Sequence, residues 1–201
     1  NFNPRRRMYG FLAFSSTPPE SEQGPWNLTI FHTNDMHGAF LPEPASWRDD
    51  RALVGGMVAL SWHLTEQRRT APASLLLDAG DFLMGSSFTL LGLSHAPTMS
   101  LMQKLGYDAI TLGNHEFDWT PDGLAGIIGA ATKSGFKVPL LASNMVFDKT
   151  STADDKLEQL MTSGGIKKKV VKTLSNGVKV GLFGLLGSGA VSATWNEKPL
   201  T

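Results

Sequence analysis

Three short stretches of this sequence carry donors suited to divalent cations. Asp35-x-His37 sets a carboxylate and an imidazole two residues apart. In extended backbone such residues project to one side, so the two can bind one cation together. Asp81 closes the stretch Leu75-Leu76-Leu77-Asp78-Ala79-Gly80-Asp81, and the two oxygens of a carboxylate can bridge two cations about 4 Å apart. Asn114 adds a neutral amide oxygen. Oxygen and nitrogen donors without sulfur point to Mn, Zn, Fe, Co, Mg or Ca rather than to a thiolate site. Two such ions would hold phosphoryl oxygens and bring the pKa of a bound water toward roughly 7.

His115 follows Asn114 directly, and Asp118 lies three residues further on. Residues at that spacing are neighbours on a turn or helix start. Asp118 can therefore hold the His115 ring in one tautomer and favour its charged form. An imidazolium beside a phosphate stabilises developing charge or donates to the leaving oxygen. Taken singly, an Asp or His after a strand also serves to cap a turn. It is the recurrence of the pattern that favours chemistry.

The elements that must position these residues are legible in part. Leu28 to Thr33, Ser74 to Leu77 and Asp108 to Leu112 are short apolar or β-branched runs that read as buried strands. Each stops at one of the polar stretches above. Helices are expected from Gly55-Gly56 to about Arg69, with Met57, Leu60 and Leu64 on the core face. Further helices are expected from Thr98 to Leu105, closed by Gly106, and from Thr120-Pro121 to about Ser134. Val138 to Ala142 is a fourth strand. Residues 148 to 166 read as a polar, mobile insertion with one helical turn near Lys156 to Leu160. Asn176-Gly177 between two apolar runs predicts a hairpin. Strands alternating with helices give an α/β fold with its site past the carboxyl ends of the strands.

The 201 residues suit one domain with a real core. Lys+Arg and Asp+Glu balance at 18 each, which argues against a nucleic acid polymer as partner but allows a small phosphorylated ligand held through metal. No apolar run is long enough to suggest a membrane span, and the absence of cysteine leaves the redox compartment unread. Residues 1–26, rich in Pro, Ser, Glu and Arg, read as a mobile leader.

His32-Thr33-Asn34-Asp35-Met36-His37-Gly38, Asp78-Ala79-Gly80-Asp81 and Gly113-Asn114-His115-Glu116-Phe117-Asp118 resemble three signatures of the 5'-nucleotidase and UDP-sugar hydrolase family of calcineurin-like metallophosphoesterases. Three signatures in order, each after a strand, are specific where one would not be. The resemblance spans about residues 27 to 187. It implies the amino-terminal part of a four-layer α/β/β/α sandwich over residues 27–201, two divalent ions, and hydrolysis of a nucleotide or related phosphoester. In that family pattern Asp35 and His37 bind the first metal, Asp81 bridges, Asn114 binds the second, and His115 with Asp118 is the catalytic pair. Glu116 and Asp78 support the shell. The pattern further implies another His and a His-x-His element beyond Thr201, a substrate domain beyond the same point, and export to the periplasm or cell exterior. Four ligands are few for two ions, so the chain alone is expected to bind metal weakly. The motifs leave open a 2',3'-cyclic-nucleotide phosphodiesterase, a sulfur-ester hydrolase, or a binding module without turnover.

The remaining candidates read as structural. His32 is a strand side chain, His63 borders a helix stripe, and His95 is a solvated loop residue. Lys167-Lys168-Lys169 is a solvated face, and the five tryptophans are packing residues, with Trp119 close enough to the site to line it.

Overall fold

A computed structural model describes residues 12–15, 27–187, 189–190, 193–194 and 198–199. Its centre is a parallel sheet of five strands: β2 (Thr29–Thr33), β5 (Ser74–Asp78), β6 (Ala109–Thr111), β7 (Leu140–Leu141) and β8 (Ile166–Lys167), in that order. A strand order that never reverses sends every right-handed crossover over the same face. The helices follow that rule. α1 (Met57–Thr70), α3 (Pro97–Leu105), α4 (Thr120–Lys133) and α5 (Asp155–Thr162) all contribute to one core against one side of the sheet.

The other side packs on a three-stranded antiparallel sheet, β1 (Leu12–Ser15), β10 (Lys179–Phe183) and β9 (Lys169–Thr173). The alternation of side chains along a strand feeds both cores. Leu76, Ile110 and Leu140 enter the helical core, while Leu75, Leu77, Ala109 and Leu141 meet Leu174, Val180 and Leu182 of the second sheet. The described residues thus build three successive layers of the expected sandwich: helices, parallel sheet and antiparallel sheet. The hairpin at Asn176-Gly177 forms as predicted, with Gly177 at φ +83°. A two-stranded ladder, β3 (Glu43–Pro44) with β4 (Leu53–Val54), and the short helix α2 (Gly92–His95) complete the set.

Four expectations need correction. β2 is not buried: it lies at the edge of the five-stranded sheet, and Leu28 and Ile30 are exposed. Apolar composition marks a strand but does not say whether it is central or marginal. Residues 148–166 are not a mobile insertion. They fold into α5, whose Leu157 is fully buried in the helical core, and lead directly into β8. Within the expected leader, Leu12–Ser15 pairs with β10, and the rest of residues 1–26 lies outside the described residues. Trp47 and Trp62 are 77% and 62% exposed, not packed inside. Trp26 and Trp195 lie outside the described residues. No helix among the described residues is long and apolar enough to cross a membrane.

Candidate metal centre

The site is built by three loops leaving β2, β5 and β6 at their carboxyl ends. β2 and β5 stop level with one another, Thr33 beside Asp78, and their loops stay paired. Ala79 N–H donates to Thr33 O at 2.9 Å, Asp35 N–H to Gly80 O at 3.0 Å, and His37 N–H to Asp81 O at 2.9 Å. The loops bend because Asp35, His37 and Asp81 all take left-handed backbone, at φ +52°, +47° and +58°. Non-glycine residues enter that region only when their surroundings hold them there. The third loop presses against the second at a glycine contact. A Cβ at Gly80 would sit 2.5 Å from Gly113 N, so a side chain there would drive the loops apart.

The six predicted residues fall in one neighbourhood, with different degrees of convergence. Ligand atoms of His37, Asp81 and His115 all lie within 4.8 Å of one another, and the His37 and His115 rings meet edge to face at 5.1 Å. Asp35 Oδ1 is 3.7 Å from His37 Nε2, and its other oxygen accepts from Asn34 Nδ2 at 2.6 Å. Asp118 Oδ2 lies 2.7 Å from His115 Nδ1, the pairing expected from their spacing. Asn114 is buried at the start of the third loop, and its amide donates to Ala193 O at 3.3 Å.

Hydrogen bonding sets the faces of both imidazoles. His37 Nδ1 is 3.2 Å from the carbonyl oxygen of Met84. A carbonyl only accepts, so Nδ1 carries the proton and Nε2 keeps its lone pair for a cation. Metal-ligating histidines are oriented in this manner by a second hydrogen bond. Burial works against the charged form of His115, but the hydrogen bond and charge of Asp118 outweigh it, with Asp81 and Glu116 adding to them, and the pKa is raised. Burial also raises that of Asp81, whose Oδ1 accepts the His115 backbone N–H at 2.9 Å. A partly buried mixed carboxylate and imidazole set without sulfur fits a divalent cation.

Around these lie buried acids that do not face the cluster. Asp78 accepts from the Thr33 hydroxyl at 2.6 Å and from Gly80 N–H at 2.9 Å. The Thr33 hydroxyl also lies 2.6 Å from the Tyr107 hydroxyl, and either can donate to the other. Burial pushes Asp78 up to about 8 and Tyr107 up to about 12. Glu116 is fully buried and accepts backbone N–H groups from both the second and third loops. Burial, and then the charge of Asp81, push it up to about 7, against the pull of those donors.

No local pattern marks Thr33–Tyr107, nor Thr194, whose hydroxyl donates to Asp118 Oδ1 at 3.2 Å. Both are long-range contacts without a local pattern. The same holds for Gly85 and Ser86, which pack against His37 and Gly38. His32, His63 and His95 are exposed, the last with Nδ1 2.6 Å from the Ser94 hydroxyl. Lys167, Lys168 and Lys169 are exposed as expected.

No family model matches the chain. Individual proteins do. A probable 5'-nucleotidase of Treponema pallidum is 36% identical over 137 residues, covering 66% of this chain and 22% of that protein. The 5'-nucleotidase of Homo sapiens is 38% identical over 128 residues, 61% of this chain and 21% of that one. Among solved structures, a 5'-nucleotidase precursor from Thermus thermophilus superposes with a TM-score of 0.65 at 26% identity, over 87% of this chain and 31% of that one. The likeness is thus to 5'-nucleotidases. The match falls on the amino-terminal part of these proteins, and the chain spans less than a third of their length. The NAD nucleotidase of Haemophilus influenzae agrees over 95% of this chain, with a TM-score of 0.63 and 25% identity. A calcineurin-like phosphoesterase of Bacillus subtilis agrees over 83%, at 0.58 and again 25%. The α/β architecture of this chain is thus that of the amino-terminal domains of calcineurin-like phosphoesterases, a fold that implies divalent metal.

Proposed function

We propose that this chain supplies the amino-terminal half of a two-cation centre that hydrolyses nucleotide phosphoesters. The reading rests on one observation above the others: His37, Asp81 and His115 converge from three separate loops in a chain similar to 5'-nucleotidases. Asp35 and His37 would hold the first cation, Asp81 would be shared with the second, and Asn114 would contribute to that second position. Bound there, divalent cations would supply positive charge for phosphoryl oxygens and acidify a water.

The protein's own groups do the rest. The Met84 carbonyl fixes His37 with Nε2 toward the cluster. Asp118 holds the proton on Nδ1 of His115 and favours the imidazolium. A charged His115 donates from Nε2 to the leaving oxygen, or balances negative charge as the phosphorus–oxygen bond breaks. His115 is therefore a proton donor rather than a third cation ligand. The site works outside the cytoplasm, in the periplasm or beyond the cell. The snake venom 5'-nucleotidase among the relatives supports that placement.

The test uses the product of the complete gene. With Mn2+ present, it should release inorganic phosphate from a nucleoside 5'-monophosphate, and Asp81→Ala should nearly abolish release. Full activity in Asp81→Ala would overturn the reading. Release of sulfate from a sulfur ester, or of a monophosphate from a cyclic nucleotide, in place of phosphate would reassign the substrate.

A further inference from the structure

The four backbone donors around Glu116 belong to two loops. Glu116 Oε2 accepts from Asp81 N–H at 2.9 Å and from Gly113 N–H at 2.6 Å, and Oε1 accepts from Phe82 N–H and Leu83 N–H, both at 3.0 Å. Three successive amides curling round an anion form a nest, the backbone shape that elsewhere captures phosphate. Here an internal carboxylate fills it.

We propose that Glu116 is a positioning residue for the metal centre. By tying Asp81 N–H and Gly113 N–H to one oxygen, it fixes the spacing between the second and third loops. That spacing sets Asp81 against Asn114 and His115. It also holds the left-handed backbone of Asp81, whose N–H would otherwise be a buried donor without a partner. Glu116 is neither a ligand nor a proton carrier. Both of its oxygens are saturated by N–H donors, and it has no exposed surface.

The carboxylate is required by count. An ionised carboxylate offers about four acceptor sites, and four donors occupy them. In Glu116→Gln the volume is unchanged, but whichever way the amide turns, its NH2 faces two N–H donors. Two hydrogen bonds are lost and the loops are pushed apart at the cluster. Outer-shell changes of this kind typically lower metal affinity about 10- to 100-fold.

The inference rests on the metal-centre reading above, and the experiment separates the two. Mn2+ affinity of the product of the complete gene and of its Glu116→Gln variant is measured by titration, using the paramagnetic resonance signal of free Mn2+, at a temperature where both are folded. Leu157→Ala, buried in the helical core far along the chain, serves as a variant with comparable loss of stability. Amide exchange is followed in the metal-free proteins. The expected result is Mn2+ binding weakened about 10- to 100-fold in Glu116→Gln and unchanged in Leu157→Ala. Faster exchange is expected at Asp81, Phe82, Leu83 and Gly113 in the Gln variant alone. Equal affinity in Glu116→Gln and the parent chain overturns the positioning role and leaves the metal centre standing. Equal weakening in Leu157→Ala overturns it as well, because loss of stability alone would then suffice. A parent protein that binds no Mn2+ overturns both.

Discussion

Gly113 lies against Asp81 so closely that a Cβ on the glycine would fall 2.3 Å from Asp81 Oδ1 and 2.6 Å from its backbone nitrogen. Neither atom can retreat, since Asp81 N–H is held by Glu116 and Oδ1 by the His115 N–H. Gly113→Ala should therefore lower stability by about 1–3 kcal/mol, as overpacking does. Urea unfolding measures this, and a loss within error of zero would show that the two loops can separate freely.

His115 and Asp118 give a prediction in pH. Asp118 holds the ring's pKa above its ordinary value against the pull of burial. In Asp118→Asn the charge of Asp118 is lost while burial remains, leaving only Asp81 and Glu116 to raise the ring's pKa, so His115 should titrate at lower pH than in the parent. Ring-proton NMR of the metal-free chain reads it. In the parent, the stabilisation from this pair is full below the ordinary His value and is lost as pH rises through the raised one. An unchanged titration in the Asn variant would remove Asp118 as the partner that matters.

The apolar skeleton of the site was legible because Leu75-Leu76-Leu77 and Ala109 to Leu112 read as strands by composition, and each ends in acids and glycines. Asp35, His37, Asp81, Asn114, His115 and Asp118 could be named because each follows such a strand at short range. Local pattern does not reach contacts between distant segments. The hold of Thr194 on Asp118 spans 76 residues, and the pairing of Leu12–Ser15 with β10 spans most of the chain. α5 is legible only as a helical turn near Lys156 to Leu160, because its stretch is polar on average and Leu157, Leu160 and Met161 tie it to the core.

α5 supplies its own check. Leu157 is wholly buried against the helical core. Leu157→Ala should lower stability by about 2–5 kcal/mol. A loss below about 0.5 kcal/mol, the range of exposed substitutions, would return residues 148–166 to the status of a loop.

Asp78 predicts a slope. Burial raises its pKa from an ordinary value of 3.8 to about 8, so the folded chain keeps a proton that the unfolded chain has released. Folding stability is then greatest below about pH 4 for this group and falls as pH rises toward 8, by up to about 1.4 kcal/mol per pH unit. Asp78→Asn keeps the shape and cannot ionise. Its stability should change less between pH 5 and pH 8 than the parent's, measured by urea unfolding with a chelator present. Parallel slopes would show that the carboxyl is ionised throughout.

The left-handed backbone at Asp35, His37 and Asp81 complicates alanine scanning of these positions. Each alanine would remove a donor atom and leave the conformational strain in place, so lost binding and lost stability become entangled. Glycine separates them, because it occupies that region without penalty while contributing no side chain. A glycine at Asp35 or His37 should leave the metal-free fold as stable as before or more so, while cation binding falls. The loops that build this centre would fold more comfortably if they did not have to serve it.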